Sequence, residues 1–488
     1  MSSHRQILKS SAIIGGSSVI AILLGIVKVK VLAILLGAAG VGLMGLFQNI
    51  MWVGATVAGC GLATSGVRQL AAAQGEQATL DSVRHALWRG NFFLGLIGGA
   101  ALWFARVPVT QWVFKNAAYA SEVGLLGVGV WLTLIAGSQM ALLQGMRRIG
   151  DLARVQIFGS LVGAVAGIGL ASWLQIGGIL WFVLTAPLAT ALAGAWYAAK
   201  LPRPIGKPDR TATRNQLRAM LLLGVPFMIT ALMTLGTQFL ARTMVTRELG
   251  LEGAGHFQAA WAISMQYTGF VLGAMATDYY PRLSATIHDP AAARKLVSEQ
   301  TEMALLLAIP ALLIILATAH WAIYILYSSG FDPAISLLRW QTLGTIFKVA
   351  SWPMGFILLA QQRGGWFIFI EVLWDVTYLS ILYFGLSQWG LDASGFGFTI
   401  AYLLIFLVLF PISNQAISFR FSKKWIIRLA LLTLFSITIV FLSYISNGVT
   451  FGIVIFPIVF ISFLCFKEIN YLVNITGWIS KRIYKSKV

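Results

Sequence analysis

Apolar stretches about as long as a membrane-spanning helix follow one another from end to end of this sequence. A helix needs roughly 20 residues to cross about 30 Å of hydrocarbon. Runs of that kind fall near residues 11–36, 41–66, 86–106, 121–145, 152–174, 178–199, 217–246, 254–278, 300–327, 335–360, 365–387, 394–418, 428–446 and 449–469. Fourteen spans in 488 residues leave no room for a soluble domain, and only 10% of the residues are charged. In lipid a chain satisfies its backbone hydrogen bonds within each segment as helix, so the expected fold is an all-α polytopic membrane protein. The first apolar run is long, carries lysines and has no small-residue cleavage site after a short core, so it is expected to stay as the first span.

The net charge of +19 would suggest a nucleic-acid partner if it were gathered on one soluble face. It is spread instead between the spans. Most of the 35 lysines and arginines lie near the two termini and in the links after even-numbered spans, among them Arg147, Arg148, Arg203, Arg210, Lys423, Lys424, Lys481 and Arg482. Basic residues collect on the cytoplasmic side, which puts both termini there. Cys60 and Cys465 both fall in spans and have neither disulfide nor metal spacing.

An internal repeat organises the spans. "LGAAGVG" (36–42) closes the first span and "LGLEGAG" (249–255) closes the seventh, at an offset of 213 (42 to 255). "LLQGMRR" (142–148) has a counterpart in "LLAQQRG" (358–364) at nearly the same offset. Each half holds six spans, an even number, so the halves share one orientation and are related by a pseudo-two-fold along the membrane normal. The expected organisation is a six-helix bundle over 1–200, a cytoplasmic linker over 201–216, a second six-helix bundle over 217–420, and two further helices with a basic tail over 421–488.

Lys28 and Lys30 stand inside an otherwise aliphatic first span, with Lys30 about 10 Å short of its far end at 1.5 Å per residue. Residues two apart point in nearly opposite directions around a helix, so at most one faces a given cavity squarely. The offset carries position 29 onto Arg242 of the seventh span. Basic groups at this depth cost several kcal/mol unless they meet water, a carboxylate or an anionic ligand. Two readings follow: contact with an anionic substrate, or structural ion pairs.

Other ionisable groups lie in the spans or at their edges. Asp278 suits either end-of-helix solvation or a gating or cation-coupling role, and Arg68 and Arg247 are further gating candidates. Glu371 and Asp375 are four apart and share a helix face, which fits pairing with Arg339 or Lys348, or a proton or sodium relay. His320 reads as a buried, hydrogen-bonded side chain. Pro226, Pro310 and Pro353 are expected to kink their helices. Neither a phosphate-binding G-x-x-x-x-G-K-[ST] loop nor an H-E-x-x-H motif or nucleophile elbow occurs, so any driving energy comes from a gradient or a partner.

Three stretches, "VKVKVLAILLGAAGVGLMGLFQ" (27–48), "LARTMVTRELGLEGAGHFQAAW" (240–261) and "YYPRLS" (279–284), resemble the polysaccharide-transporter branch of the multidrug/oligosaccharidyl-lipid/polysaccharide exporter superfamily. Over residues 5–420 the chain is similar to Wzx-type flippases for O-antigen or enterobacterial common antigen repeat units. The resemblance implies two six-helix bundles around a cavity open alternately to each side of the bacterial inner membrane. The implied substrate is an undecaprenyl-diphosphate-linked oligosaccharide, moved from the cytoplasmic to the periplasmic leaflet, with no catalytic residues and no cofactor. It puts Lys30 at the family's basic position in span one and Arg242 at its arginine in span seven, with Lys28 an addition. A polysaccharide polymerase and a chain-length regulator are the implied protein partners. Residues 428–488 extend past the twelve spans of many members and are similar to the two additional helices of the lipid II flippase branch. The alternatives are a lipid II-type carrier flippase and a cation-coupled multidrug exporter, for which the core charges lean too basic.

Overall fold

The computed structural model describes residues 3–202, 209–421, 423–444 and 447–473, and side chains from residue 16 onward except those of 266, 267, 270, 271, 274, 277, 424, 447–450, 472 and 473. The basic tail with Lys481 and Arg482, part of the 201–216 linker and the Lys424 side chain lie outside the described residues. Every regular element among the described residues is helical. In chain order these are α1 (Ser3–Gly59), α2 (Leu62–Ala72), α3 (Gln77–Phe104), α4 (Arg106–Phe114), α5 (Ala120–Gly145), α6 (Ile149–Leu174), α7 (Gly178–Ala199), α8 (Arg210–Thr286), α9 (Pro290–Leu326), α10 (Pro333–Ala360), α11 (Gly364–Trp389), α12 (Asp392–Ile417), α13 (Lys423–Ser443) and α14 (Asn447–Val473). All fourteen expected spans fall on these helices, and the chain is a multi-pass membrane protein.

Two pairs of spans are fused. Spans one and two share α1, broken at Gly37 (φ 63°, ψ −163°), and spans seven and eight share α8, broken at Gly250 (φ 73°, ψ −173°). That backbone region is open essentially to glycine alone. No neighbour lies within 4 Å of where a Cβ would sit at either position, so conformation rather than space calls for glycine.

The same correspondence recurs at the other breaks. Between α5 and α6, Arg147 takes φ 55° and the Arg148 N–H donates to the Leu143 carbonyl at 2.8 Å. Between α10 and α11, Gln362 takes φ 57° and the Arg363 N–H donates to the Leu358 carbonyl, also at 2.8 Å. These six-to-one bonds close helix ends by satisfying orphan carbonyls. Gln175 (φ 56°, ψ −132°) ends α6 as Gly390 (φ 54°, ψ −135°) ends α11. The repeat read from glycine spacing is thus written in the backbone dihedrals of both halves.

By packing, the chain divides into one unit of residues 1–255 with Leu326–Gly330, and a second of His256–Ile325 with 331–488. The repeat sets a boundary near residue 217, whereas packing carries residues 210–255 of α8 with the first unit. The cause is close backbone approach. A Cβ at Gly42 would be driven into the Leu251 carbonyl, one at Gly255 into the Ala38 carbonyl, and one at Gly61 into the Gly224 carbonyl. Small residues let membrane helices approach this closely, and van der Waals packing then holds them.

In the second unit, α13 packs on α10 and α14 on α13. Tyr444 at the end of α13 lies 2.8 Å from Ser336 Oγ, accepts from Trp340 Nε1 at 3.3 Å and donates to Asp392 Oδ2 at 3.4 Å. Arg428 of α13 pairs with Glu468 of α14 at 2.7 Å. The last two helices are therefore integral to the second unit. An apolar cavity of about 500 Å³ is lined by side chains of α10, α12 and α13, among them Phe347, Phe406 and Leu429.

Candidate functional site

Lys28 and Lys30 lie on α1 ahead of the Gly37 break, both half-buried. The Lys28 ammonium sits 4.1 Å from the ring centroid of Phe182 on α7, a ring with no solvent exposure. A cation over an aromatic face regains part of the stabilisation that water would give, worth about 0.5–2 kcal/mol. This arrangement seats the Lys28 ammonium on an aromatic face within the span.

Arg242 behaves differently. Its side chain is 5% exposed, and Nη1 donates to the Gly45 carbonyl at 3.0 Å. With the Asn49 amide turned so that its oxygen faces the guanidinium, Asn49 accepts from both Nη1 and Nε of Arg242, the latter at 3.2 Å. Tyr327 lies within its electrostatic reach. In this conformation Arg242 thus directs its donors at the second segment of α1. The direction of its side chain follows from helix packing that spacing does not encode. Asn49, a polar residue inside "LFQNIMW", was the one signal in the sequence for this network.

Next along α8, Arg247 donates to the Trp112 carbonyl and Glu248 pairs with Lys115 at 3.3 Å. The residues they meet belong to α4 and its end, where the chain bends by 63° from α3. Spacing gave no sign of this short helix. Arg68 is exposed on α2. Asp278 is exposed and pairs with Arg282 one turn on, at 3.0 Å.

In the second unit, Glu371 and Asp375 are half-buried on α11, and Lys348 of α10 is the cation beside Glu371. The Lys348 ammonium also lies 3.5 Å from Met265 Sδ and 5.3 Å from the Tyr402 ring centroid. Arg339, the other expected partner, is buried and donates from Nε to the Leu316 carbonyl at 3.5 Å. His320 departs from expectation. Its Nδ1 is buried without a hydrogen-bond partner among the described residues, and its ring meets Trp321 edge-on.

The family described as "Polysaccharide biosynthesis protein" (Polysacc_synt_3) matches residues 31–336. The Lipid III flippase of Escherichia coli (strain K12) is 25% identical over 419 residues, covering 83% of this chain and 97% of that protein. Among solved structures, the lipid II flippase MurJ in an inward closed conformation superposes with a TM-score of 0.69 at 13% identity, over 94% of this chain and 98% of the other. A multidrug resistance MATE family transporter of the MOP superfamily, inward-facing, gives 0.68 at 17% identity, over 82% and 94%. The fold is that of this superfamily, and the resemblance to Wzx-type flippases read from the sequence stands.

Proposed function

This chain belongs to the polysaccharide biosynthesis protein family, and we propose that it is a flippase for lipid-linked oligosaccharide, carrying undecaprenyl-diphosphate-linked repeat units of O-antigen or enterobacterial common antigen type. Movement runs from the cytoplasmic to the periplasmic leaflet of the inner membrane, with both termini cytoplasmic. The observation that carries this reading is the pair Lys28 and Lys30, half-buried at span depth on α1. The similarity to a protein named Lipid III flippase along 97% of its length supports it.

A diphosphate cannot cross hydrocarbon with its charge unmatched. Ammonium groups held in a wet cleft replace its hydration with charge-assisted hydrogen bonds. Lys28, steadied by Phe182, and Lys30, facing another way around the helix, contact the diphosphate at successive points of its path. The polyprenyl tail stays in lipid while the head group and sugars turn over between alternately exposed states. Arg242 reaches the substrate only when its bonds to Gly45 and Asn49 open. Glu371 and Asp375 with Lys348 form the group through which a proton or sodium gradient couples, since intramembrane carboxylates beside a cation mark ion pathways. A polymerase and chain-length regulator receive the product outside.

The test is complementation of a bacterial strain lacking its repeat-unit flippase, at matched membrane levels. Wild type restores surface polysaccharide, Lys28→Ala with Lys30→Ala abolishes it, and Lys30→Arg retains it. Full activity of the double alanine variant overturns the assignment of these two residues, and failure of wild type in every such strain overturns the substrate.

A further inference from the structure

We propose that the first unit holds the head group of a bilayer phospholipid in a cavity between α3, α5 and α7. The class of ligand is a phosphodiester that also carries a primary ammonium, as phosphatidylethanolamine does. The inference goes beyond the transport reading and does not depend on it.

The cavity has a volume of about 250 Å³ and is lined by Arg84 and Trp88 of α3, by Ser138 and Gln139 of α5, and by alanines in the last turn of α7. Arg84 lies seven residues into α3 (77 to 84) and Gln139 six residues before the end of α5 (139 to 145). At 1.5 Å per residue that sets the cavity about 10 Å from those helix ends. They are the ends that carry Arg147, Arg148 and Lys200. Trp88 and Trp196 are exposed there, at 52% and 61%, as tryptophans are where hydrocarbon meets head groups. The Lys200 ammonium stands at the same level, 4.1 Å from the Trp196 ring centroid.

The α5 wall of the cavity accepts hydrogen bonds. Gln139 is 8% exposed and its Oε1 has no hydrogen-bond partner among the described residues. A buried acceptor left unpaired costs the full desolvation of that group, so a ligand that donates to it is favoured. The fold makes room for this amide, since a Cβ at Gly194 would overlap Oε1. Ser138, 3% exposed, gives its hydroxyl proton to the Ile135 carbonyl at 2.7 Å. Its oxygen is then left to accept. Two adjacent acceptors suit an ammonium with N–H groups.

Arg84 supplies the other half. Its Nη1 donates to the Pro202 carbonyl at 2.7 Å, and a guanidinium has five N–H donors in a fork that matches phosphate. Asp81, one turn earlier, lies within its electrostatic reach, and Asp81 Oδ1 also accepts from Gln77 at 3.1 Å. With a carboxylate so near the guanidinium, a zwitterionic head group fits better than a multiply charged anion. A choline would need an aromatic cage, but Trp88 is the only aromatic lining residue and its ring is stacked on Phe92 at 5.2 Å.

Native mass spectrometry of the delipidated protein in detergent tests the site, with phosphatidylethanolamine and phosphatidylcholine of identical acyl chains. Wild type is expected to hold one phosphatidylethanolamine about tenfold or more tighter than phosphatidylcholine, the worth of a charge-assisted bond that a quaternary ammonium cannot make. Gln139→Met with Ser138→Ala removes this preference, and Arg84→Gln weakens both lipids. The α5 variant keeps the cavity's volume and carries the test should Arg84→Gln fail to fold. Equal affinity of wild type for the two lipids overturns the proposal, as does a preference that survives the α5 variant. Displacement of the bound lipid by inorganic phosphate overturns the lipid source and assigns the cavity to a free anion. Complementation by the wild-type chain does not enter these outcomes, so failure of the transport reading is seen separately.

Discussion

Gly255 lies so close over the carbonyl of Ala38 that a Cβ at position 255 would overlap its oxygen. Backbone cannot retreat as a flexible side chain can, so α1 and α8 must move apart to admit one methyl group. Overpacking of this kind costs about 1–3 kcal/mol. We expect Gly255→Ala and Gly42→Ala each to lower the melting temperature of the purified protein clearly. Gly236→Ala, also on α8 and with nothing within 4 Å of its notional Cβ, leaves it unchanged or raises it. Equal melting temperatures for all three variants would falsify the close crossing.

The repeat makes a sharper prediction at Gln175. Its φ of 56° with ψ of −132° is a glycine conformation, and the matching position in the second half is Gly390. Relief of such strain is worth about 1–3 kcal/mol, and among the described residues the Gln175 amide donates only over a long 3.3 Å to the Ser172 carbonyl. Gln175→Gly therefore stabilises the protein and Gly390→Gln destabilises it, by similar amounts in thermal unfolding.

Much of this architecture was open to reading because hydrocarbon thickness imposes a length on each apolar run. The fourteen spans, the repeat and the breaks after Leu36 and Leu249 all came from that constraint and from glycine spacing. Other features follow from contacts across hundreds of residues. α4 is a nine-residue helix, too short for periodicity to announce, and α9 begins at Pro290, well ahead of the apolar run from 300. Arg242 illustrates the limit best. An offset fixes a residue's depth, but at about 100° per residue a small change in helix rotation decides between cavity and neighbour. The choice of Lys348 over Arg339 as the cation beside Glu371 has the same origin.

The ion pair that joins the last two helices also has a measurable coupling. Arg428 and Glu468 meet at 2.7 Å with side chains 36% and 25% exposed, and Trp425 lies under the guanidinium at 5.1 Å. Removing one member of a partly buried pair strands the other, so Arg428→Ala and Glu468→Gln should each destabilise more than the double variant's excess over either. A double-mutant cycle in thermal unfolding is expected to give a coupling of about 1–2 kcal/mol. Strict additivity would mean that α13 and α14 are held by apolar packing alone.

The second unit's charges allow the driving force to be separated from the substrate site. Lys348, Glu371 and Asp375 sit among the aromatic side chains of Trp374 and Tyr402, whose rings lie 5.3 Å apart, far in sequence from Lys28 and Lys30. An intramembrane carboxylate that takes up and releases a cation loses that capacity as an amide, while the volume it fills is kept. Asp375→Asn and Glu371→Gln should thus preserve folding and the binding of lipid-linked oligosaccharide but remove the acceleration that a proton or sodium gradient gives to flipping in proteoliposomes. Lys348→Met is expected to lower stability as well, because it leaves Glu371 without its neighbouring cation in a medium where an unmatched charge is costly. Gradient-driven flipping that survives both carboxylate substitutions would place the coupling elsewhere and leave the cluster a structural one.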